Sequence, residues 1–233
     1  MTDTDQTEYR QYRFSLPPGA ADILLIRHGE SQPVRQGVEV PMLGGQADPP
    51  LDVRGREEAQ LVADRLADQH LDAIYVTPLQ RTHETAAPLA QRLGLTPIVE
   101  PDLKEIFLGE WEGPAFRMHM SEGDPIAIKM MEEERWDVIP GAETAEAFNA
   151  RLHRGITRIA AAHPDRRVAV FVHGGVIGAI CAMAASSRPF AFIAADNASI
   201  SHLVVQPDRW VLRRFNDTGH LHTDLDRPPE PLN

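Results

Sequence analysis

At 233 residues the chain has the length of one large domain, or of one domain with a modest insertion. Its 42% hydrophobic and 24% charged residues suit a globular protein able to bury a core, and a formal net charge of -11 leaves no basic stripe for a nucleic-acid backbone. The single cysteine, Cys181, excludes an intrachain disulfide framework, and no stretch reaches the roughly 18 apolar residues needed to span a bilayer.

Residues 1–20 read as a flexible tail ending at Pro17-Pro18-Gly19. The polar, acidic start lacks the apolar core of a signal peptide, so a cytoplasmic location is expected, with neither nucleic acid nor membrane as partner. The apolar run Ile23-Leu24-Leu25-Ile26 predicts a buried strand, followed at once by Arg27-His28-Gly29-Glu30-Ser31. Helical spacing of Ala59, Val62, Leu66 and Ala67 predicts an amphipathic helix over 55–70. A strand is expected over 73–76 and a helix over 79–93, ended by Gly94. Phe148, Leu152, Ile156 and Ile159 mark one face of a helix over 144–163. An apolar strand over 167–172 and a helix from 174 to 183 follow, and two further strands, 198–205 and 209–214, form a hairpin around Pro207-Asp208. The result is an α/β fold: a mostly parallel central sheet flanked by helices on both faces, occupying 21–215. Residues 216–233, with Pro228-Pro229 and Pro231, read as a second tail.

The stretch 111–140 breaks the alternation and reads as a helical insertion. It holds four of the seven methionines and the acidic run Glu132-Glu133-Glu134. Either it only exposes a solvated acidic face, or it caps a site with adaptable methionine side chains. Cys181 falls in an apolar run and reads as a buried structural thiol.

The chemistry concentrates at strand ends, where open α/β sheets bind ligands. His28 follows one buried strand, and His173, in His173-Gly174-Gly175, follows another; each is then followed by glycine. Arg81 lies on the first turn of a helix that starts where the 73–76 strand stops, a position suited to clamping an anion. Singly, these residues also read as a surface pair, a core histidine and a surface arginine. Together they describe an imidazole nucleophile aimed at a phosphoryl group.

The order Arg27-His28-Gly29-Glu30-Ser31, then Thr77-Pro78-Leu79-Gln80-Arg81-Thr82-His83-Glu84-Thr85-Ala86, then Leu103-Lys104-Glu105-Ile106-Phe107-Leu108-Gly109-Glu110-Trp111-Glu112-Gly113, then His173-Gly174-Gly175, resembles the histidine phosphatase superfamily, the phosphoglycerate-mutase-like family. The likeness runs over about residues 22–214. It implies that His28 becomes phosphorylated, that Arg27, Arg81 and His173 surround the phosphoryl oxygens, and that Glu105 gives a proton to the leaving oxygen. Ser31 and Gly174 are further candidates for substrate binding, and no cofactor or metal is called for. A phosphatase is favoured, because the segment around Glu105 lacks the Glu-Arg-His-Tyr-Gly pattern of cofactor-dependent mutases. The alternatives are a bisphosphate-primed mutase and a non-catalytic phospholigand-binding protein on the same fold.

The chain also departs from the family: Val34 stands where members often carry an asparagine. Arg35 either replaces that contact or is a plain surface arginine. Asn197 and Ser199 either border the pocket or mark a turn and strand entry. The remaining histidines show no metal-ligand spacing. The expected partner is a small phosphomonoester; its identity, like a homodimeric state, is not written in the sequence.

Overall fold

The computed structural model describes residues 9–33, 35 and 38–221; Val34 lies outside them, as do His222 and the rest of the C-terminal tail. In chain order the elements are β1 (Ala21–Arg27), β2 (Met42–Leu43), β3 (Gln46–Ala47), α1 (Val53–Leu66), β4 (Ala73–Val76), α2 (Gln80–Leu93), β5 (Ile98–Val99), α3 (Pro114–Glu122), α4 (Pro125–Glu133), α5 (Ala145–Ala162), β6 (Arg167–Val172), α6 (Gly174–Ala185), β7 (Ile200–Gln206) and β8 (Arg209–Asp217). Six strands form one sheet in the order β5-β4-β6-β1-β7-β8. The β5-β4-β6-β1 part is parallel, and β7 and β8 close it antiparallel. The mostly parallel, doubly covered sheet expected from the sequence is therefore the fold.

Alternation along β1 explains the two helical layers, because successive strand side chains point to opposite faces. Ile23 and Leu25 join Phe148, Leu152 and Ile156 of α5 and Val176, Ile177 and Ile180 of α6 in one core. Leu24 and Ile26 face the other way, onto Val62, Ala63 and Leu66 of α1 and Ala86 and Leu89 of α2. A strand covered on both faces is apolar through its middle, which is why 23–26 of β1 and 168–172 of β6 read as continuous runs. Cys181 is buried in the first of these cores, and burial pushes its thiol up to about 12.

Two close backbone approaches hold the turn after β1. Gly29 and Gly55 pack so tightly that a Cβ on Gly29 would overlap the Gly55 carbonyl, and one on Gly55 would overlap the Glu30 carbonyl. The side chain of Asp52 caps α1 by accepting from the Gly55 N–H at 2.9 Å. The Trp111–Pro140 stretch is helical, as α3 and α4, with Trp111, Ala127, Met130 and Ile139 in a small core of its own. At the C-terminal end β8 runs to Asp217, three residues past the expected end of that strand, with the Asn216 side chain bonded to Asp196.

Candidate active site

Strands β1 and β6 are parallel neighbours paired with Arg27 opposite Val172, so the residues that follow them, His28 and His173, leave the sheet side by side. Their rings meet edge to face with centroids 5.2 Å apart. Arg27, on the last residue of β1, points its guanidinium past Gly174 and donates from a terminal nitrogen to the Ala195 carbonyl at 2.6 Å. Arg81, from the first turn of α2, donates to the Ala47 carbonyl at 3.0 Å and stands 3.9 Å from Asp48. Four sequence-expected groups thus converge at the carboxyl ends of β1, β4 and β6.

The hydrogen bonding of His28 fixes its tautomer. Nδ1 lies 2.7 Å from the Gly29 carbonyl, which can only accept, so Nδ1 carries the hydrogen and Nε2 holds the lone pair. Burial, then the charges of Arg81 and Arg27, hold this imidazole well below its ordinary pKa, so it is neutral at pH 7. His173 is fully buried and shifted the same way, by burial and then by Arg81, His28 and Arg27. Its Nε2 is 2.9 Å from Thr77 Oγ1, while its buried Nδ1 has no hydrogen-bond partner among the described residues. Burial lowers Arg81 to about 10, which still leaves it a cation at neutral pH.

Glu105 arrives from the loop between β5 and α3. Its Oε1 accepts from the Ile106 N–H at 2.9 Å and its Oε2 from the Gly175 N–H at 3.2 Å. Burial raises its pKa despite those two bonds and the nearby Arg81. Gly175 is required for this approach, because a Cβ there would lie 2.7 Å from Glu105 Oε1.

A cavity of about 160 Å³ opens over these groups, lined by Arg27, His28, Ser31, Arg81 and Glu105. Phe116, Arg117 and Trp136 of the helical stretch also line it, as does Gln46, whose amide donates to the Glu105 and Ile106 carbonyls. Ser31 accepts from Arg117 at 3.0 Å. Asn197 donates through Nδ2 to the His28 carbonyl at 3.0 Å and so steadies the backbone at His28. Arg35 is exposed and is not among the lining residues. Thr77 and Arg117 were missed by sequence reasoning. Thr77 could have been flagged as a hydroxyl at a strand end beside two anion-binding motifs; Arg117 carried no local signal, since its contacts are 85 and 86 residues away.

The family model of the histidine phosphatase superfamily, branch 1, matches residues 23–218. Phosphoglycerate mutase-like protein 4 of Arabidopsis thaliana is 32% identical over 206 residues, covering 86% of this chain and 87% of its own. Phosphoserine phosphatase 1 of Hydrogenobacter thermophilus is 30% identical over 201 residues, covering 85% of this chain and 93% of its own. Among solved structures, a mycobacterial glucosyl-3-phosphoglycerate phosphatase superposes with a TM-score of 0.70 at 26% identity, covering 85% of this chain and all of that one. A match that takes in both strand-end histidines, both arginines and Glu105 makes this chain a member of the histidine phosphatase superfamily, branch 1.

Proposed function

We propose that the protein is a metal-independent phosphomonoester hydrolase working through a phosphohistidine on His28. The observation that carries this reading is the Nδ1–H bond of His28 to the Gly29 carbonyl, which leaves the Nε2 lone pair beside two buried guanidinium groups. Nε2 attacks phosphorus, the ester P–O bond breaks, and the leaving oxygen takes the proton of Glu105. Water then attacks the phosphohistidine, gives a proton to the Glu105 carboxylate, and the N–P bond breaks to return the lone pair to Nε2. Arg27 and Arg81 match the two negative charges of the phosphoryl group throughout. In the tautomer where Thr77 donates to its Nε2, His173 offers an Nδ1–H to the third equatorial oxygen, which ends that nitrogen's lack of a partner.

The relatives' names divide between phosphatase and mutase. The Lys104–Gly113 segment favours the phosphatase. The test is phosphate release from an aryl phosphate in the presence of a chelator, wild type against His28→Ala. Chelator-resistant release that disappears in the variant is expected. Release that survives the substitution, or that requires a bisphosphate primer, would overturn the hydrolase reading.

A further inference from the structure

The proposed reaction uses an N–H at His173 Nδ1, and a neutral imidazole carries its one hydrogen there in only one of two tautomers. Strands β4 and β6 are parallel neighbours with Val76 opposite Phe171, so Thr77 and His173 leave the sheet within reach of each other. Thr77 Oγ1 stands 2.9 Å from His173 Nε2, and Thr77, Thr82 and His173 are all fully buried. Distance alone allows either partner to donate. The surrounding hydrogens separate the two cases. Thr82, on the first turn of α2 beside Arg81, has the carbonyls of Leu79 and Thr77 at 2.9 and 3.2 Å, and its hydroxyl donates there. Its oxygen receives the Thr77 N–H at 3.1 Å. Thr77 Oγ1 receives the Leu79 N–H at 3.3 Å, which leaves its own hydrogen to place. The destinations are Thr82 Oγ1 at 3.2 Å and His173 Nε2 at 2.9 Å. The imidazole nitrogen is the nearer and the stronger base, and Thr82 Oγ1 already has a donor.

We infer that Thr77 is a positioning residue that selects the tautomer of His173: its hydroxyl, aimed by Thr82, donates to Nε2 and holds the ring hydrogen on Nδ1. The reverse arrangement would leave a buried Nδ1 lone pair without a donor, facing phosphoryl oxygens that are themselves acceptors. The two imidazoles are thus set by different groups to do different things. His28 is held by a carbonyl, which can only accept, and keeps its Nε2 lone pair for phosphorus. His173 is held by a hydroxyl that donates, and keeps an N–H for the oxygens. The α2 turn that delivers Arg81 to the site also delivers the Thr82 oxygen that orients this hydroxyl. The kinetic consequence of the inference rests on the hydrolase reading; the tautomer itself does not.

The test reads the ring by nitrogen NMR on histidine-labelled protein at neutral pH, with the His173 signals assigned from their absence in His173→Gln. Wild type should show a protonated Nδ1 and an unprotonated Nε2. Thr77→Val, which keeps the shape and loses the hydroxyl, should lose that fixed pattern. Its kcat for an aryl phosphate should fall by about 10-fold or more. That is less than the roughly 10²–10³-fold of deleting an oxyanion donor outright, because a share of the molecules keeps the productive tautomer. Thr77→Ser should restore both the ring pattern and the rate. A protonated Nε2 in wild type would overturn the inference even if Thr77→Val does not fold. So would an unchanged ring in Thr77→Val, whether or not turnover falls, since the hydroxyl would then act on folding alone. Loss of the hydrolase reading is seen separately, as aryl phosphate turnover that does not depend on His28, and leaves the ring signals to be read as before.

Discussion

In the proposed mechanism Glu105 is an acid in the first half-reaction and a base in the second, and its surroundings bear on both. Burial favours the protonated form, while the N–H groups of Ile106 and Gly175 stabilise the carboxylate that remains once the proton has left. The missing side chain at Gly175 lets both happen at one place. Glu105→Gln should therefore slow hydrolysis of alkyl phosphates by about 10²–10⁴-fold and that of phenolic esters far less, since phenolate leaves with little protonation. In wild type the alkyl-to-phenolic ratio of kcat/KM should fall as pH rises through the elevated pKa of Glu105. In the variant the ratio should be flat. Equal losses for both ester classes would remove Glu105 from the proton-donor role.

The loop that carries Glu105 is fixed by a helix on which it does not lie. Arg151 of α5 donates from Nε and a terminal nitrogen to the two oxygens of Glu143, at 2.7 and 2.8 Å. Its terminal nitrogens also reach the carbonyls of Asp102, Lys104 and Glu105 at 2.7, 2.5 and 2.9 Å. Five donors thus meet five acceptors. Arg151→Met would strand the largely buried Glu143 carboxylate and three carbonyls, and should cost about 3 kcal/mol, read from the urea midpoint at constant m. Arg151→Lys should recover little of that, because an ammonium cannot reproduce the fork. A loss below about 0.5 kcal/mol in Arg151→Met would mean that the loop is held by other contacts. This clamp shows what the sequence could and could not convey. β1, β4 and β6 were legible because burial on both faces makes their middle positions apolar, α1, α2 and α5 because one face of each is apolar, and α6 because it is apolar almost throughout. The two-residue strands β2, β3 and β5 are too short to carry a period, and β2 and β5 are exposed. The strand-end positions of His28, Arg27, Arg81 and His173 were legible from motif order, whereas the contacts of Arg117, Thr77 and Arg151 arise only in the tertiary fold.

At the scale of the whole molecule, the site places two uncharged imidazoles beside arginines, and that arrangement couples folding to pH. His28 and His173 both have folded-state pKa values well below the ordinary histidine value near 6.5. Below that value the unfolded chain binds protons that the native state refuses. Stability from these groups is therefore complete above about pH 6.5 and falls as pH drops, by roughly 1 kcal/mol per pH unit for each imidazole. Glu105 and Glu58, with raised pKa values, act in the opposite sense. Their contribution is complete below the ordinary glutamate value and is lost as pH rises through their folded-state values. Between about pH 4.5 and 6.5 the two effects oppose each other, and the histidines should dominate because both are held well below their ordinary value. Urea midpoints measured from pH 7.5 down to 5 should accordingly fall in wild type. The fall should be visibly shallower in a His28→Gln, His173→Gln double variant, even where that variant is less stable at pH 7.5. Parallel pH dependences in the two proteins would show that these imidazoles accept protons in the native state, and would also remove the electrostatic basis for keeping His28 a nucleophile at acidic pH.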